Sequence, residues 1–263
     1  MTSLKRADRT RTAGVGSRPS CLVAVRRLVR QSDRVSQRAV IEAAWSAVTS
    51  SVAKRDPVVA AAAVPAAVRE GLLQTAGPAA LLAVQSRPSM YEVEALLGAL
   101  RERDWLGDDV LIELLTAAAT GTETGRGWLV VDLDMLGEVL GGQRGGYLDL
   151  TTGTVWPIEL VEDGQVEGLD PYEDPDPQLW LEVPGEGSRN AYCDMADFTA
   201  ELTDLRVRGD LVAALDGKGA FRRFQGALDR HDTYRVHWRV FSTERLAGRA
   251  RAWLADHGYD ALP

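Results

Sequence analysis

The sequence has 263 residues, a formal net charge of −8 and 45% hydrophobic residues, enough for the core of a soluble globular protein. The longest apolar run, at 58–68, is interrupted by Pro65 and is too short to span a bilayer, which excludes a membrane-spanning helix there. We therefore expect no membrane partner.

The cysteines and the N-terminus limit the redox and targeting classes. Cys21 and Cys193 form no CxxC pair, which argues against a disulfide framework and against a cysteine-rich zinc site. Arg26 and Arg27 interrupt the short apolar stretch that follows Cys21, so the apolar core of a secretory signal is missing. These features predict a cytoplasmic protein.

Charge is distributed unevenly along the chain. Residues 1–40 contain ten Lys or Arg and two Asp, a net of +8, so the remainder carries −16. One interpretation is weak association of residues 1–40 with nucleic-acid phosphates, and the other is a solvated extension without a partner. The acidic remainder argues against a nucleic-acid groove elsewhere.

The first predicted elements are helical. We predict a disordered basic tail at 1–20 and a helical N-terminal region at 21–125 that is poorly defined before residue 90. Val93, Leu96 and Leu100 share one helical face, and Gly107 followed by Asp108 predicts a helix end and a new N-cap. Because Met90 opens this well-patterned segment, an alternative is that the natural chain starts there.

Strand signals follow in residues 128–183. A short strand leads into a helix capped by Asp132 or Asp134, and "GYLDLTTGTVWPIEL" predicts a hairpin that turns at Gly153. Pro157 restricts its strand to a sheet edge or to a pairing that does not need its missing N–H donor. A third strand, "QLWLEV", follows an acidic loop whose carboxylates lack the spacing of a calcium site, so we predict a solvated connector and no metal. The loop carboxylates are Glu162, Asp163, Glu167, Asp170, Glu173, Asp174 and Asp176.

The remaining chain predicts several helices. Ser188 is the expected N-cap of the first, and Gly217 is expected to end the second. A helix then restarts after Gly219, and Ser242 is expected to cap the final helix. The buried face of the restarted helix is predicted to carry Phe221, Phe224 and Leu228.

The turn "GKGAFRRF" is the candidate anion site. Unpaired N–H groups at a helix start attract anions, and Lys218, Arg222 and Arg223 would add charge-assisted hydrogen bonds. The turn lacks the GxxxxGK[ST] pattern of a P-loop. The structural alternative pairs the two arginines with carboxylates of the acidic body, and the candidate partners are Asp194, Asp197 and Glu244.

Catalytic signals are weak. His231, His237 and His257 form no HExxH or paired metal-ligand spacing, Ser188 lacks the GxSxG context, and Cys193 has no adjacent base. We predict no catalytic residue and no cofactor.

Several ordered motifs resemble an uncharacterised protein family, UPF 0158, over roughly residues 90–263. The motifs are "VDLDMLGEVL", "YLDLTTGTVWP", "EGSRNAYCDMADF", "GKGAFRRF" and "WRVFSTERLAGRARAWLADHGY", with "ALRERDWLGDD" similar to a segment of actinobacterial members. Gln225 stands where the resemblance leads us to expect a lysine, which weakens any scheme that needs three consecutive cations. The resemblance implies a domain at 128–263, and because the family is uncharacterised it indicates no particular function.

Together these observations predict an α+β protein. We expect a small antiparallel sheet of about three strands packed by C-terminal helices, preceded by a helical segment and a disordered basic N-terminus. The leading functional hypothesis is a non-catalytic cytoplasmic binding or protein-interaction module with an anion site at Gly217–Arg223, taking a protein partner or a small anionic ligand. The alternatives are an enzyme acting on a phosphate-bearing small molecule and weak nucleic-acid association through residues 1–40.

Overall fold

The computed structural model describes residues 21–86, 90–170 and 175–262, with side chains from residue 37 onward except at 90–92. The predicted tail at 1–20, which is half of the basic segment 1–40, lies outside this description. The described residues form eleven helices and five strands.

Five helices come first and pack on one another. They are α1 (Cys21–Ala53), α2 (Pro57–Arg69), α3 (Leu73–Ser86), α4 (Met90–Arg103) and α5 (Asp108–Thr120). Asp56 caps α2 by accepting hydrogen bonds from the backbone N–H groups of Val58 and Val59, and Pro57 occupies the first helical position. The region before residue 90, which the sequence left poorly defined, therefore contains helices with fully buried residues such as Ala60 and Ala76.

The elements from residue 127 onward combine helices with two small sheets. They are β1 (Gly127–Val130), α6 (Leu133–Gly141), β2 (Gly146–Asp149), β3 (Val155–Pro157), α7 (Ile158–Glu162), β4 (Trp180–Val183), α8 (Ser188–Glu201), α9 (Leu205–Leu215), α10 (Ala220–Leu228), α11 (Asp232–Asp256) and β5 (Tyr259–Leu262). The predicted α+β class is confirmed.

The larger sheet is antiparallel with the order β3-β2-β4, so β3 and its Pro157 lie at an edge as predicted. In the hairpin turn the Asp149 carboxylate accepts hydrogen bonds from the backbone N–H of Thr151 and the hydroxyl of Thr152. Gly153 has φ +72°, the left-handed conformation that the turn was expected to need. Local turn chemistry therefore determined this part of the fold.

A second sheet was not predicted. β1 and β5 form a parallel pair in which Gly127 lies opposite Tyr259 and Val130 opposite Leu262. The C-terminal residues thus return to the start of the α+β region and place β5 beside β1.

Four predicted local features are wrong. Asp108 is the first residue of α5, and the N-cap position before it is Gly107. Ser242 does not start a helix, because α11 runs unbroken through it from Asp232 to Asp256. Ser188 is the first residue of α8 and makes no capping hydrogen bond; the preceding cap position is Gly187, whose φ of +72° favours glycine. Phe221 is 42% exposed, whereas Phe224 and Leu228 are fully buried as expected.

Helix α11 connects the two halves of the molecule. Its Val236 and Val240 belong to the core of the first five helices, whereas its Ala250 and Leu254 belong to a core shared with β1, α6 and β5. Gly248 touches the loop between α4 and α5 so closely that an added Cβ would lie 2.3 Å from the Leu106 carbonyl oxygen. We call the boundary between the helical half and α11 the junction.

Candidate functional site

The predicted anion turn is held together by one of its own arginines. The Arg223 guanidinium donates hydrogen bonds to the carbonyl oxygens of Ala214 at 3.2 Å and Gly217 at 3.0 Å, and also to those of Asp216 and Lys218. Carbonyl oxygens at the end of α9 lack helical partners, so Arg223 satisfies them and fixes the start of α10. These hydrogen bonds occupy Arg223 in the described structure.

The other two predicted cations are exposed on the same turn. The carboxylates that we expected as partners of Arg222 and Arg223 bind other arginines. Asp194 accepts from Arg245 and Arg249, Asp197 from Arg245, and Glu244 from Arg103. That predicted pairing is wrong, and the anion hypothesis at Lys218 and Arg222 stays a prediction.

A buried polar network occupies the junction instead. The Glu244 carboxylate, 1% exposed, accepts hydrogen bonds from the backbone N–H groups of Gln74 at 2.6 Å and Thr75 at 2.9 Å, and from the Thr75 hydroxyl. These are the N–H groups of the first turn of α3 that an N-cap side chain normally satisfies. Since Leu72 precedes α3 and has no polar side chain, Glu244 of α11 takes the capping role from another element.

Arg103 joins Glu244 to a second buried carboxylate. It donates to Glu244 at 2.8 Å and to Asp108 at 2.6 and 2.9 Å, while Asp108 also accepts from the Gln74 side-chain amide. Burial acts to lower the pKa of Arg103, but the hydrogen bonds and charges of Asp108 and Glu244 outweigh it and raise that pKa. The charges of this network therefore compensate one another.

Arg251 is the least compensated member. Its side chain is 2% exposed and its Nε donates to Gln74 Oε1 at 2.8 Å. Both of its terminal nitrogens lack a hydrogen-bond partner in the part of the chain that the structure describes. Burial lowers the pKa of Arg251 to about 10, although the charges of Asp260, Glu244 and Asp108 act in the opposite direction. An additional acceptor at this guanidinium would therefore be stabilising.

Arg251 lines a cavity of about 390 Å³, which we call the junction cavity. Its walls come from α1, α3, the chain between β1 and α6, α11 and β5. Most of its lining is apolar, and the polar side chains among its residues are those of Thr49, Gln74, Thr75, Asp132, Asp134 and Arg251. A volume in this range, apolar walls and a few polar groups are typical of small-molecule sites.

Carboxylates lie at the mouth of the junction cavity. Asp132 caps α6 by accepting from the backbone N–H groups of Asp134 and Met135, which confirms it as the cap. Partial burial, with the charges of Asp132, Glu138 and Glu244, raises the pKa of Asp134. These carboxylates disfavour an anion at the mouth, whereas Arg251 favours one deeper inside.

None of the lining residues of the junction cavity is a histidine or a cysteine, and the thiol of Cys193 is exposed on α8. Within the described ranges, no group of three or more His, Cys, Asp or Glu could hold a metal ion; Glu173 and Asp174 of the acidic loop lie outside those ranges. No described helix is long and apolar enough to cross a membrane.

The fold and cavity define an α+β protein in which a half made of helices packs against a half that contains the two sheets. A family profile described as Uncharacterised protein family (UPF0158) matches residues 129–262. This match covers half of the chain, and the protein belongs to that family. No significant match to the chain is found among curated proteins or among solved structures.

Sequence reasoning missed the junction residues. Arg251 lies four residues after Ala247 and three before Leu254, both of which are buried, so it occupies the apolar face of α11. A charged residue on a buried helical face is a signal for a buried polar site. Its partner Gln74 lies 177 residues away, and the sequence gives no indication of that pairing.

Proposed function

We propose that this protein is a binding module whose site is the junction cavity. Its ligand is a small molecule with an apolar body and one acidic group. The apolar body contacts the aliphatic walls, and the acidic group accepts hydrogen bonds from Arg251.

The observation that carries the proposal is the guanidinium of Arg251. A buried donor without a partner costs free energy, on the order of 1–3 kcal/mol and more for a charged group. Two terminal nitrogens of one guanidinium form the planar fork that binds a carboxylate through two parallel hydrogen bonds. Since burial outweighs the neighbouring carboxylates at Arg251, a ligand anion also compensates its charge.

The apolar part of the site supports a ligand with an extended body. An adjoining cavity of about 250 Å³ shares Val52, Val130 and Leu262 with the junction cavity. Its other lining residues are Arg55, Leu82 and Gln85. The three shared residues are aliphatic, and they would contact an aliphatic chain that extends from one cavity into the other.

Matched ligands test the proposal. We expect octanoate to bind the full chain at least about tenfold more tightly than octanol, measured by isothermal titration calorimetry, because only octanoate offers a charged acceptor to Arg251. Arg251→Lys keeps the positive charge but removes the fork, so it should reduce this preference. Equal binding of the two ligands to the parent would contradict an acidic ligand.

Steric variants locate the site independently of the folding role of Arg251. Ala53 lines the junction cavity and Ala43 lines neither this cavity nor the adjoining one; both are exposed residues of α1. Ala53→Trp should block octanoate binding, whereas Ala43→Trp should leave it unchanged. Octanoate binding that survives in Ala53→Trp would place the ligand elsewhere.

A further inference from the structure

A second cavity, of about 320 Å³, lies on another part of the junction. We call it the aromatic cavity, because Trp105, Phe198 and Phe241 contribute to its lining. Its residues come from α1, the end of α2, the end of α4, α8 and α11. It shares no lining residue with the junction cavity.

The aromatic wall is rigid. Phe241 makes edge contacts with Trp105, at 5.0 Å between ring centroids, and with Phe198, at 5.5 Å. Trp238 packs behind them against Phe198 and Phe224 at 5.3 and 5.0 Å. Such interlocked rings give a preformed apolar surface, which reduces the entropy cost of binding.

The same wall already attracts cations. The guanidinium carbon of Arg103 lies 4.5 Å from the Trp105 ring centroid and that of Arg245 lies 5.0 Å from it. Arg245 also lies 5.7 Å from the Phe241 centroid. The electron-rich faces of these rings therefore contribute a field that favours positive charge.

The charges around the aromatic cavity leave a negative excess. Arg103 and Glu244 bind each other at 2.8 Å, and Arg245 lies nearby but is bound to Asp194 and Asp197. In contrast, the side-chain carboxylates of Glu70 and Glu201 line the cavity and form no hydrogen bond or ion pair within the described residues; Arg245 acts on Glu201 only through its charge. Two carboxylates thus face the cavity region without a bound cation.

We infer that the aromatic cavity binds a small organic cation, specifically an amine that carries an apolar or aromatic body. The ammonium group lies between Glu70 and Glu201, and the body contacts Phe198 and Phe241. This inference is independent of the proposed function at the junction cavity, because the two sites have separate linings and opposite charge preferences.

The environment of the remaining polar group is consistent with this charge preference. Burial lowers the pKa of His237, and the charge of Glu70 opposes the shift only in part. The imidazole is therefore neutral near neutral pH and does not repel an ammonium group. Burial, partly opposed by Arg245 and reinforced by Asp197, raises the pKa of Glu201, and a bound cation would reverse that shift.

The experiment uses phenethylamine and phenethyl alcohol, which share one aromatic body and differ in charge. We expect calorimetry on the full chain to show tighter binding of the amine, and Glu201→Gln to weaken the amine about fivefold without changing the alcohol. The double variant Glu70→Gln with Glu201→Gln should bind both compounds equally. Both side chains lie outside the fully buried core, so these variants should fold.

The control removes the same charge elsewhere. Glu102 and Glu123 are exposed and line neither cavity, so Glu102→Gln with Glu123→Gln removes the same two negative charges from the protein. This double variant should bind the amine like the parent. The inference is wrong if the alcohol binds the parent as tightly as the amine, if neither compound binds, or if the control weakens the amine as much as the double variant at Glu70 and Glu201.

Discussion

The helical half and the sheet-containing half bury their side chains in different ways. The five helices before β1 form one continuous core built of Ala, Val, Leu and one Ile, which extends to two valines of α11. The elements from β1 onward divide their buried residues among three smaller clusters, two of which contain aromatic rings. The half that matches the family profile therefore buries part of its apolar surface against the helical half, which provides a broad packing surface.

Four of the buried polar side chains lie at the junction, where the two halves meet. Gln74 and Asp108 come from the helical half, whereas Glu244 and Arg251 come from α11. Each half contributes polar groups whose hydrogen-bond partners lie in the other half. The division into separate units at 21–125 and 128–263 stays a prediction, and the following experiments test it.

The largest effect is expected from separating the halves. A fragment of residues 126–263 exposes Val236 and Val240 and leaves Glu244 without Gln74, Thr75 and Arg103. We expect this fragment to show no cooperative unfolding transition by circular dichroism, because buried apolar area and network partners are both lost. A fragment of residues 21–263 should keep the transition of the full chain. Cooperative unfolding of the short fragment would show that the family-matched half folds alone.

Removing one charge from the junction should have the next largest effect. Glu244→Gln leaves Arg103 and the first turn of α3 with a weaker acceptor, and we expect a loss of about 3 to 5 kcal/mol in the free energy of unfolding by urea titration. The control is Glu42→Gln, which breaks an exposed ion pair with Arg38 at 3.0 Å. We expect it to cost about 0.5 kcal/mol or less. Similar losses in both variants would contradict a special role for the junction.

Two glycine-to-alanine substitutions distinguish the effect of close packing on stability from that of helix propensity. Gly248→Ala places a Cβ 2.3 Å from the Leu106 carbonyl oxygen, so we expect a loss of about 1 to 3 kcal/mol as α11 and the α4–α5 loop move apart. Gly209→Ala adds the same methyl group at an exposed position of α9, where nothing lies within 4 Å of it. That variant should gain about 0.5 to 1 kcal/mol. Thermal unfolding of both variants measures the difference, and a stabilised Gly248→Ala would contradict the close approach.

The two arginines of the predicted anion turn should differ in their contribution to the free energy of unfolding. Arg223→Ala removes the hydrogen bonds to the end of α9 and should cost about 1 kcal/mol, whereas exposed Arg222→Ala should stay within about 0.5 kcal/mol of the parent. Titration with inorganic phosphate tests the anion hypothesis itself. Phosphate binding that Lys218→Ala and Arg222→Ala both weaken would support it, and no binding by the parent would reject it.

The smallest effect concerns pH. Burial lowers the pKa of His237 in the folded protein from its ordinary value of 6.5, so the unfolded chain binds the proton more readily. The folded protein should lose stability as the pH falls from about 7.5 to about 5.5, and His237→Gln should lose less over the same range. Melting temperatures at both pH values give this comparison. An equal loss in parent and variant would assign the pH dependence to other groups.

Local chemistry explains which elements the sequence could predict. The hairpin was predictable because Asp149, Gly153 and Pro157 each act within a few residues of themselves. The α10 start was predictable from Gly219, whose φ of +81° requires little else. In contrast, Ser242 looked like a cap only because its local sequence permits one, whereas packing of α11 on both halves keeps the helix continuous.

The candidate site could not be predicted from the sequence, because its contacts are not local. Every decisive contact of Glu244 and Arg251 joins residues far apart in sequence, such as Gln74 and Glu244, which are 170 positions apart. The turn at Lys218 looked more like a site, because its charges cluster locally. Three-dimensional packing reversed this order: the guanidinium of Arg223 is bound to carbonyl oxygens, whereas the two terminal nitrogens of Arg251 have no acceptor within the described residues.

The capping of α3 by Glu244 also has a kinetic consequence. During synthesis on a ribosome, α3 emerges long before α11, so Gln74 and Thr75 first present their N–H groups to water. The helical half can collapse on its own aliphatic core through contacts that are mostly local, which favours rapid folding. The junction can close only after Glu244 has been synthesised, 170 residues after Gln74. Both cavities acquire their final walls only at that last step.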